Sequence, residues 1–270
     1  MSTDRSLREL MSLDGRVALV TGGAGHIGRA IGDALAELGA SVAVVDLSQP
    51  GAAAAADELS GRWTAPAAGF ACDLEQSDQV RDLPRQVRGR FGRIDIIVNC
   101  AAFVGTSGLE GWAVPFEQQS DKTWRRALEV NLTAPFVLVQ AAAADLRASG
   151  HGSVVNISSI YGLSGPDWRL YEGTSLGNPA AYAASKGGLI QATRWLSTTL
   201  APHVRVNAIA PGGVFRDTPE PFLSRYTART PLGRMGREED FKGAVAYLAT
   251  DLSAYVTGQC LAVDGGWTVW

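Results

Sequence analysis

Seven short apolar runs punctuate this chain, and they constrain its fold more than anything else in it. They are Val17–Val20, Ser41–Val45, Ala67–Cys72, Ile94–Val98, Val154–Ile157, Val204–Ile209 and Cys260–Val263. A strand that is apolar on both faces cannot border water, so it belongs inside a sheet covered on both sides. The segments between the runs read as helices: Ile27–Leu38, Gly51–Ser60, a charged stretch capped by Ser77 and reaching about Arg90, Asp121–Leu146, Gly187–Leu200 and Gly236–Ala249. Pro84 interrupts the third of these. Strands alternating with helices specify βαβ units, hence an α/β fold with a doubly wound parallel sheet of about seven strands and helices on both faces. No Pro/Ser-rich linker divides the chain, so residues 1–270 are expected to form a single domain.

Composition narrows the function classes. The 270 residues carry a net charge of −3, which leaves no electrostatic footprint for nucleic acid or an anionic membrane surface. The stretch Met1–Asp14 is polar and mixed in charge, unlike a signal peptide, and no apolar run approaches the roughly 18 residues of a membrane span. Cytoplasmic localisation is the expectation. Cys72, Cys100 and Cys260 stand far apart in apolar contexts and read as buried small hydrophobes; no metal site is expected.

Chemistry concentrates in Tyr182-Ala183-Ala184-Ser185-Lys186. On a helix, Tyr182 and Lys186 share a face, and an ammonium beside a phenol lowers the phenol's pKa toward working pH. The preceding strand ends in Ser158-Ser159, so a hydroxyl is available to orient a carbonyl or alcohol oxygen for proton transfer. A Tyr and a Lys four apart also occur by chance, and the pair gains weight only from the rest of the chain.

After the first strand comes Thr21-Gly22-Gly23-Ala24-Gly25-His26-Ile27-Gly28, opening directly into a helix. Glycines let a backbone approach a pyrophosphate, and the helix N-terminus supplies N–H groups and a favourable dipole. Asp46 ends the second strand, where a carboxylate accepts hydrogen bonds from the ribose hydroxyls of NAD and repels the extra phosphate of NADP. No Arg or Lys follows closely, so NAD is expected over NADP. His26 either contacts a phosphate or points to solvent. Pro135, four residues after Asn131, has no N–H, which is expected to free the Asn131 carbonyl to hold a water linking Lys186 to solvent.

With these residues together, the chain resembles the short-chain dehydrogenase/reductase family, from about Asp14 to Gly266. Thr21-Gly22 followed by Ile27-Gly28 resembles the family's cofactor loop, with His26 where a glycine is usual. Cys72-Asp73-Leu74 resembles the acid motif that contacts adenine, and Asn99-Cys100-Ala101-Ala102 the motif beside the adenosine ribose. Pro211-Gly212-Gly213-Val214 resembles the segment at the nicotinamide amide, and Asp264-Gly265-Gly266 the C-terminal turn. The resemblance implies a Rossmann fold, a homotetramer, and a tetrad of Asn131, Ser159, Tyr182 and Lys186. Tyr182 would be the acid/base, Lys186 would lower its pKa and hold the ribose, and Ser159 would polarise the substrate oxygen. The cofactor residues it implies are Gly22, Gly25, His26, Ile27, Gly28, Asp46, Leu47, Cys72, Asp73, Leu74, Asn99, Ala101, Ala102, Pro211, Gly212 and Val214, with Tyr182 and Lys186.

The small-molecule substrate is expected to meet an insertion at about 163–178 and a lid at about 214–233. Trp168, Tyr171 and Glu172 in the insertion suit a polyhydroxylated molecule, since aromatic faces pack on sugar rings. Trp112 is expected in another pocket wall. Arg216, Arg225 and Arg229 either bind an anionic group or are solvated. The insertion is similar to that of family members in bacterial surface-polysaccharide and nonulosonic-acid sugar pathways. The expected activity is NAD-dependent interconversion of a secondary alcohol and a ketone on a sugar, sugar derivative or polyol. The alternatives are a 3-oxoacyl-carrier-protein or general carbonyl reductase, or a cofactor-binding regulator without turnover.

Overall fold

The protein is described here by a computed structural model covering residues 4–270. Seven parallel strands form one sheet: β1 (Val17–Thr21), β2 (Ser41–Asp46), β3 (Ala67–Ala71), β4 (Ile96–Asn99), β5 (Gly152–Ile157), β6 (Val204–Pro211) and β7 (Cys260–Val263), in the order β3-β2-β1-β4-β5-β6-β7. The helices are α1 (Leu7–Met11), α2 (His26–Glu37), α3 (Gln49–Arg62), α4 (Ser77–Phe91), α5 (Asp121–Leu128), α6 (Ala134–Ala141), α7 (Ala143–Ala148), α8 (Ala180–Leu200), α9 (Phe222–Arg229) and α10 (Lys242–Ala249).

Alternation along the strands explains why there are two cores. In β1, Ala18 and Val20 join Ile31 and Leu35 of α2, Ala55 of α3 and Leu248 of α10. Val17 and Leu19 point the other way, toward Leu83 of α4, Leu138 of α6 and Leu200 of α8. The alanine run of α3 lets that helix close on β3, and Gly69 completes the fit. A Cβ added there would lie 2.4 Å from the Ala53 nitrogen.

Chain order reverses at β1, whose neighbours β2 and β4 lead off in opposite directions, with Thr21 level with both Val45 and Asn99. Such a switch point leaves a crevice beyond the carboxyl ends of the strands. The sheet thus puts the glycine loop, Asp46 and Asn99 at one edge of the molecule.

Several helix expectations need correction. Asp121–Leu146 is not one helix: α5 passes into a π turn at Glu129–Thr133, then α6 and α7. Pro135 offers no N–H, and the Ala134 N–H reaches five residues back to the Glu129 carbonyl. Ser77 is the first residue of α4 rather than its cap, and Pro84 lies inside that helix, which ends at Gly92 with φ 83°. Residues 238–241 form a 3₁₀ turn before α10. The short α1 was absent from the sequence reading; a Ser6–Glu9 capping box starts it and Arg5 ties it to Asp251.

The insertion and the lid fold onto each other. Arg225 of α9 donates to the Glu172 carbonyl at 2.5 Å, and Arg229 pairs with Asp167 at 2.6 Å. Leu170, Phe222, Tyr226 and Trp267 form a separate aromatic core beneath them. Among the described residues, no helix is long and apolar enough to cross a membrane, and no cluster of His, Cys, Asp or Glu is placed to hold a metal ion.

Candidate active site

A cavity of about 880 Å³ opens over the carboxyl ends of β1, β2, β4, β5 and β6. At one end the glycine loop turns from β1 into α2. Gly22 has φ 65°, and a Cβ there would lie 2.8 Å from the Ala101 Cα. Gly28 is tighter still, since its added Cβ would fall 2.0 Å from the Gly22 carbonyl oxygen. Thr21 Oγ1 accepts from the Cys100 and Ala101 amides, at 3.1 and 3.3 Å, and locks the loop to the end of β4. The result is a backbone cradle against a helix N-terminus with no room for side chains on its floor, which fits a pyrophosphate.

Asp46 holds its place through two backbone donors, the Ala24 amide at 3.1 Å and the Leu47 amide at 2.8 Å. Leu47, Cys72, Asp73 and Leu74 continue this wall, and Gly25, His26 and Ile27 face it. His26 is exposed at the start of α2 and stands near Glu238, whose carboxyl is held low by its backbone hydrogen bond and by Arg216, with His26 adding to the effect, against the opposing pull of burial.

At the other end, Ser159, Tyr182 and Lys186 line the same cavity. Pro179 starts α8, and four residues of helix place Tyr182 and Lys186 on one face. Both serines border the cavity, but the Ser158 hydroxyl donates to the Lys186 carbonyl at 2.9 Å, tying β5 to α8, which leaves Ser159 as the hydroxyl beside Tyr182. Lys186 Nζ donates to the Ile157 carbonyl at 2.7 Å.

The structure does not show the expected lowering of the Tyr182 pKa. Burial pushes the phenol up, and the neighbouring Ser159 hydroxyl only partly opposes it. Burial also presses the Lys186 ammonium down to about 8, against the pull of Cys100. Desolvation outweighs pairing because the Lys186 hydrogen bond goes to a carbonyl rather than to the phenol.

Asn131 is fully buried in the π turn and does not line the cavity. Its Oδ1 accepts from the Phe103 amide at 2.8 Å, and its Nδ2 donates to the Phe103 carbonyl and the Ser185 hydroxyl at 3.0 and 3.1 Å. It therefore clips the 101–106 rim to α8. Asn99 is likewise turned away, donating to Asn156 across the sheet at 2.8 Å. Ala101, Ala102, Pro211, Gly212 and Val214 line the cavity.

Three substrate expectations are corrected. Trp112 is 2% exposed, donates its Nε1–H to the Val104 carbonyl and packs behind the rim with Ala127 and Ala181. Trp168 is turned outward against Tyr171, and Glu172 uses only its carbonyl, toward Arg225. Large aromatic and charged residues in a loop must stabilise that loop first, and these three do so. Tyr171 does line the cavity, joined by Tyr161, Phe222 and Tyr226, which sequence reasoning missed. Tyr161 lies two residues beyond Ser159, a signal that was available. Of the three arginines, Arg216 alone lines the cavity, donating to Glu238 at 2.9 Å.

A protein-family model described as Enoyl-(Acyl carrier protein) reductase matches residues 22–268. A short-chain type dehydrogenase/reductase from Mycobacterium marinum superposes with a TM-score of 0.85 at 32% identity, covering 98% of this chain and 99% of that one. The chain belongs to the short-chain dehydrogenase/reductase family. Within the family it is 33% identical over 265 residues to a 3-oxoacyl-acyl-carrier-protein reductase of Thermotoga maritima, covering 95% of this chain and 99% of the relative. It is 35% identical over 263 residues to a D-threitol dehydrogenase of Mycolicibacterium smegmatis, covering 95% and 94%. A short-chain dehydrogenase/reductase is an oxidoreductase that binds a nicotinamide cofactor, and the cradle of Gly22 and Gly28 fits one.

Proposed function

We propose that the protein is an NAD(H)-dependent oxidoreductase that interconverts a secondary alcohol and a ketone on a polyol, sugar or sugar derivative. The observation that carries this reading is a single cavity with Asp46 at one end and Ser159, Tyr182 and Lys186 at the other. Asp46 presents a carboxylate where a ribose diol would sit, and the neighbouring Leu47 offers no cation for a 2′-phosphate.

A bound nicotinamide supplies the hydride acceptor or donor. The Ser159 hydroxyl holds the substrate oxygen, and Tyr182 takes its proton on oxidation or returns it on reduction. Lys186, whose ammonium lies 5.8 Å from the centre of the Tyr182 ring, would stabilise the phenolate and hold the nicotinamide ribose. Asn131 positions the rim through Phe103, and its carbonyl, denied a donor by Pro135, is assigned the relay water toward Lys186. The exposed Trp195, with its ring centre 6.5 Å from that of Phe136, offers an apolar helix face for contact between copies, and we propose a homotetramer. We place the enzyme in the cytoplasm.

The test is NADH formation by the pure protein across polyols, sugars, sugar phosphates and simple secondary alcohols. NADP runs in parallel and Tyr182→Phe serves as the blank. Turnover with NAD on polyols, lost in the variant, is the expected result; turnover mainly with NADP, or unaffected by the variant, overturns the reading. A second reading, 3-oxoacyl-carrier-protein reduction, is favoured by the Thermotoga maritima relative. Oxidation of NADPH by an acetoacetyl thioester would support it.

A further inference from the structure

The wall opposite the glycine loop carries a polar group that the chemistry above leaves unused. Tyr161 and Tyr171 both line the cavity, and their hydroxyl oxygens lie 2.6 Å apart. Burial pushes both phenols up, so both are protonated donors at any working pH. The Asn178 side chain faces the two hydroxyls, and its Oδ1 is buried without a partner in a residue only 6% exposed.

Proton counting shows what this arrangement lacks. Two phenols carry two O–H protons, and one is consumed between them. The second phenol proton is left over, and so is Asn178 Oδ1, an acceptor without a partner, so the cluster has one donor and one acceptor unmatched. A buried donor or acceptor left unpaired costs roughly 1–3 kcal/mol, and such groups are retained where a ligand or water completes them. The pair stands on the same cavity as the reacting end, since Ser159, Tyr161, Tyr171 and Tyr182 all line it.

The chemistry of the pair selects its partner. Two neutral phenols suit a neutral hydroxyl, able to accept from one and donate to the other. A carboxylate or phosphate would call for a cation, and Lys186 and Arg216 are the only Lys or Arg side chains on the cavity, neither of them bonded to this pair. An acyl chain would leave the unmatched donor and acceptor unpaired. Tyr171 is held for this role from behind: Phe222 meets its ring edge-on with centres 5.2 Å apart, and Trp168 lies against its other side at 5.6 Å.

We propose that the Tyr161–Tyr171 pair, backed by Asn178, recognises a hydroxyl of the substrate other than the one that reacts, and so selects polyols over simple secondary alcohols. This rests on the reading of the site as an alcohol dehydrogenase and names the device that would set its substrate class.

The experiment compares kcat/KM for matched pairs, butane-2,3-diol against butan-2-ol and threitol against the same mono-alcohol, in wild type, Tyr171→Phe and Tyr161→Phe. NADH binding and thermal melting are measured alongside for each protein. Wild type is expected to prefer the hydroxylated member, and each Phe variant to cut that preference by about tenfold or more, because a site built to hydrogen-bond an OH rejects the analogue lacking it. The readout is the ratio of the two kcat/KM values, whatever each variant does to mono-alcohol turnover, and NADH affinity should stay within about threefold. A purely structural pair would lower both substrates together, and that outcome, or an unchanged ratio, overturns the proposal. Wild type that oxidises mono-alcohols equally well also overturns it while leaving alcohol oxidation standing. Silence on every alcohol despite NADH binding removes both.

Discussion

The Lys186 ammonium lies 5.8 Å from the centre of the Tyr182 ring, yet its hydrogen bond goes to the Ile157 carbonyl. Among the described residues the lysine is therefore a buried cation without a counter-ion. Its pKa falls from 10.5 to about 8.

That shift has a sign that can be measured. Between about 8 and 10.5 the unfolded chain binds the proton that the folded chain has released, so stability rises with pH across this window. Below about 8 the full burial penalty, roughly 3 kcal/mol at most, is in force. Lys186→Met should therefore be inactive but more resistant to urea than wild type at pH 7, with the gap closing by pH 10.5. Urea titrations of the cofactor-free proteins at the two pH values check this. A variant less stable than wild type at pH 7 would contradict it.

Gly28→Ala and Gly25→Ala separate backbone crowding from mere loop flexibility. The added methyl at Gly28 meets the Gly22 oxygen at 2.0 Å, while at Gly25 it meets the same oxygen at 3.2 Å. Gly28→Ala should lose more than about tenfold in NADH affinity and about 1–3 kcal/mol of stability. Gly25, whose φ is −79°, should tolerate alanine within about 1 kcal/mol. Fluorescence titration of NADH and chemical denaturation supply the two readouts.

Asp46→Asn tests the cofactor preference. The substitution keeps an acceptor for the Ala24 amide, 3.1 Å away, but removes the charge that would repel a 2′-phosphate. The ratio of NAD to NADP in kcat/KM should fall by about tenfold, a change of roughly 1.4 kcal/mol. A ratio that does not move would locate selectivity elsewhere on the wall.

The cavity thiols should be slow to alkylate. Burial pushes Cys72 and Cys100 each up to about 11, so at pH 8 only about one thiol in a thousand is ionised. Iodoacetamide labelling should rise steeply from pH 8 to pH 10 and be suppressed by NADH, since both residues line the cavity. Mass spectrometry of the modified peptides decides it.

What the sequence made legible follows from how local each signal is. The strands are short, apolar on both faces and bounded by glycine or helical pattern, so their positions hold to within about two residues. The loop from Thr21 to Gly28 and the Tyr182–Lys186 spacing are equally local, and the structure brings them to one cavity. Side-chain direction in loops is not local. Trp112 and Trp168 carry the same composition signal as Tyr171, but Trp112 turns behind the rim and Trp168 turns outward. Asn131 was found by resemblance, and only its partners Phe103 and Ser185 reveal that it works by fastening. The π turn has its signal in Pro135, whose missing N–H bears on the winding of the helix as well as on the Asn131 carbonyl.

That change of winding carries a consequence for phase. One residue more than an α-turn requires, taken up within Glu129–Thr133, rotates everything before it by about 100° relative to everything after. On the near side α5 and the turn itself lie against α8, and on the far side α6 lies against α4. The segment thus works as a phase shifter between two packing interfaces. Deleting a single residue there would leave the hydrophobic pattern of each half intact while aiming one of them at the wrong neighbour, so the chain could keep its sheet contact or its Asn131 clip, but not both.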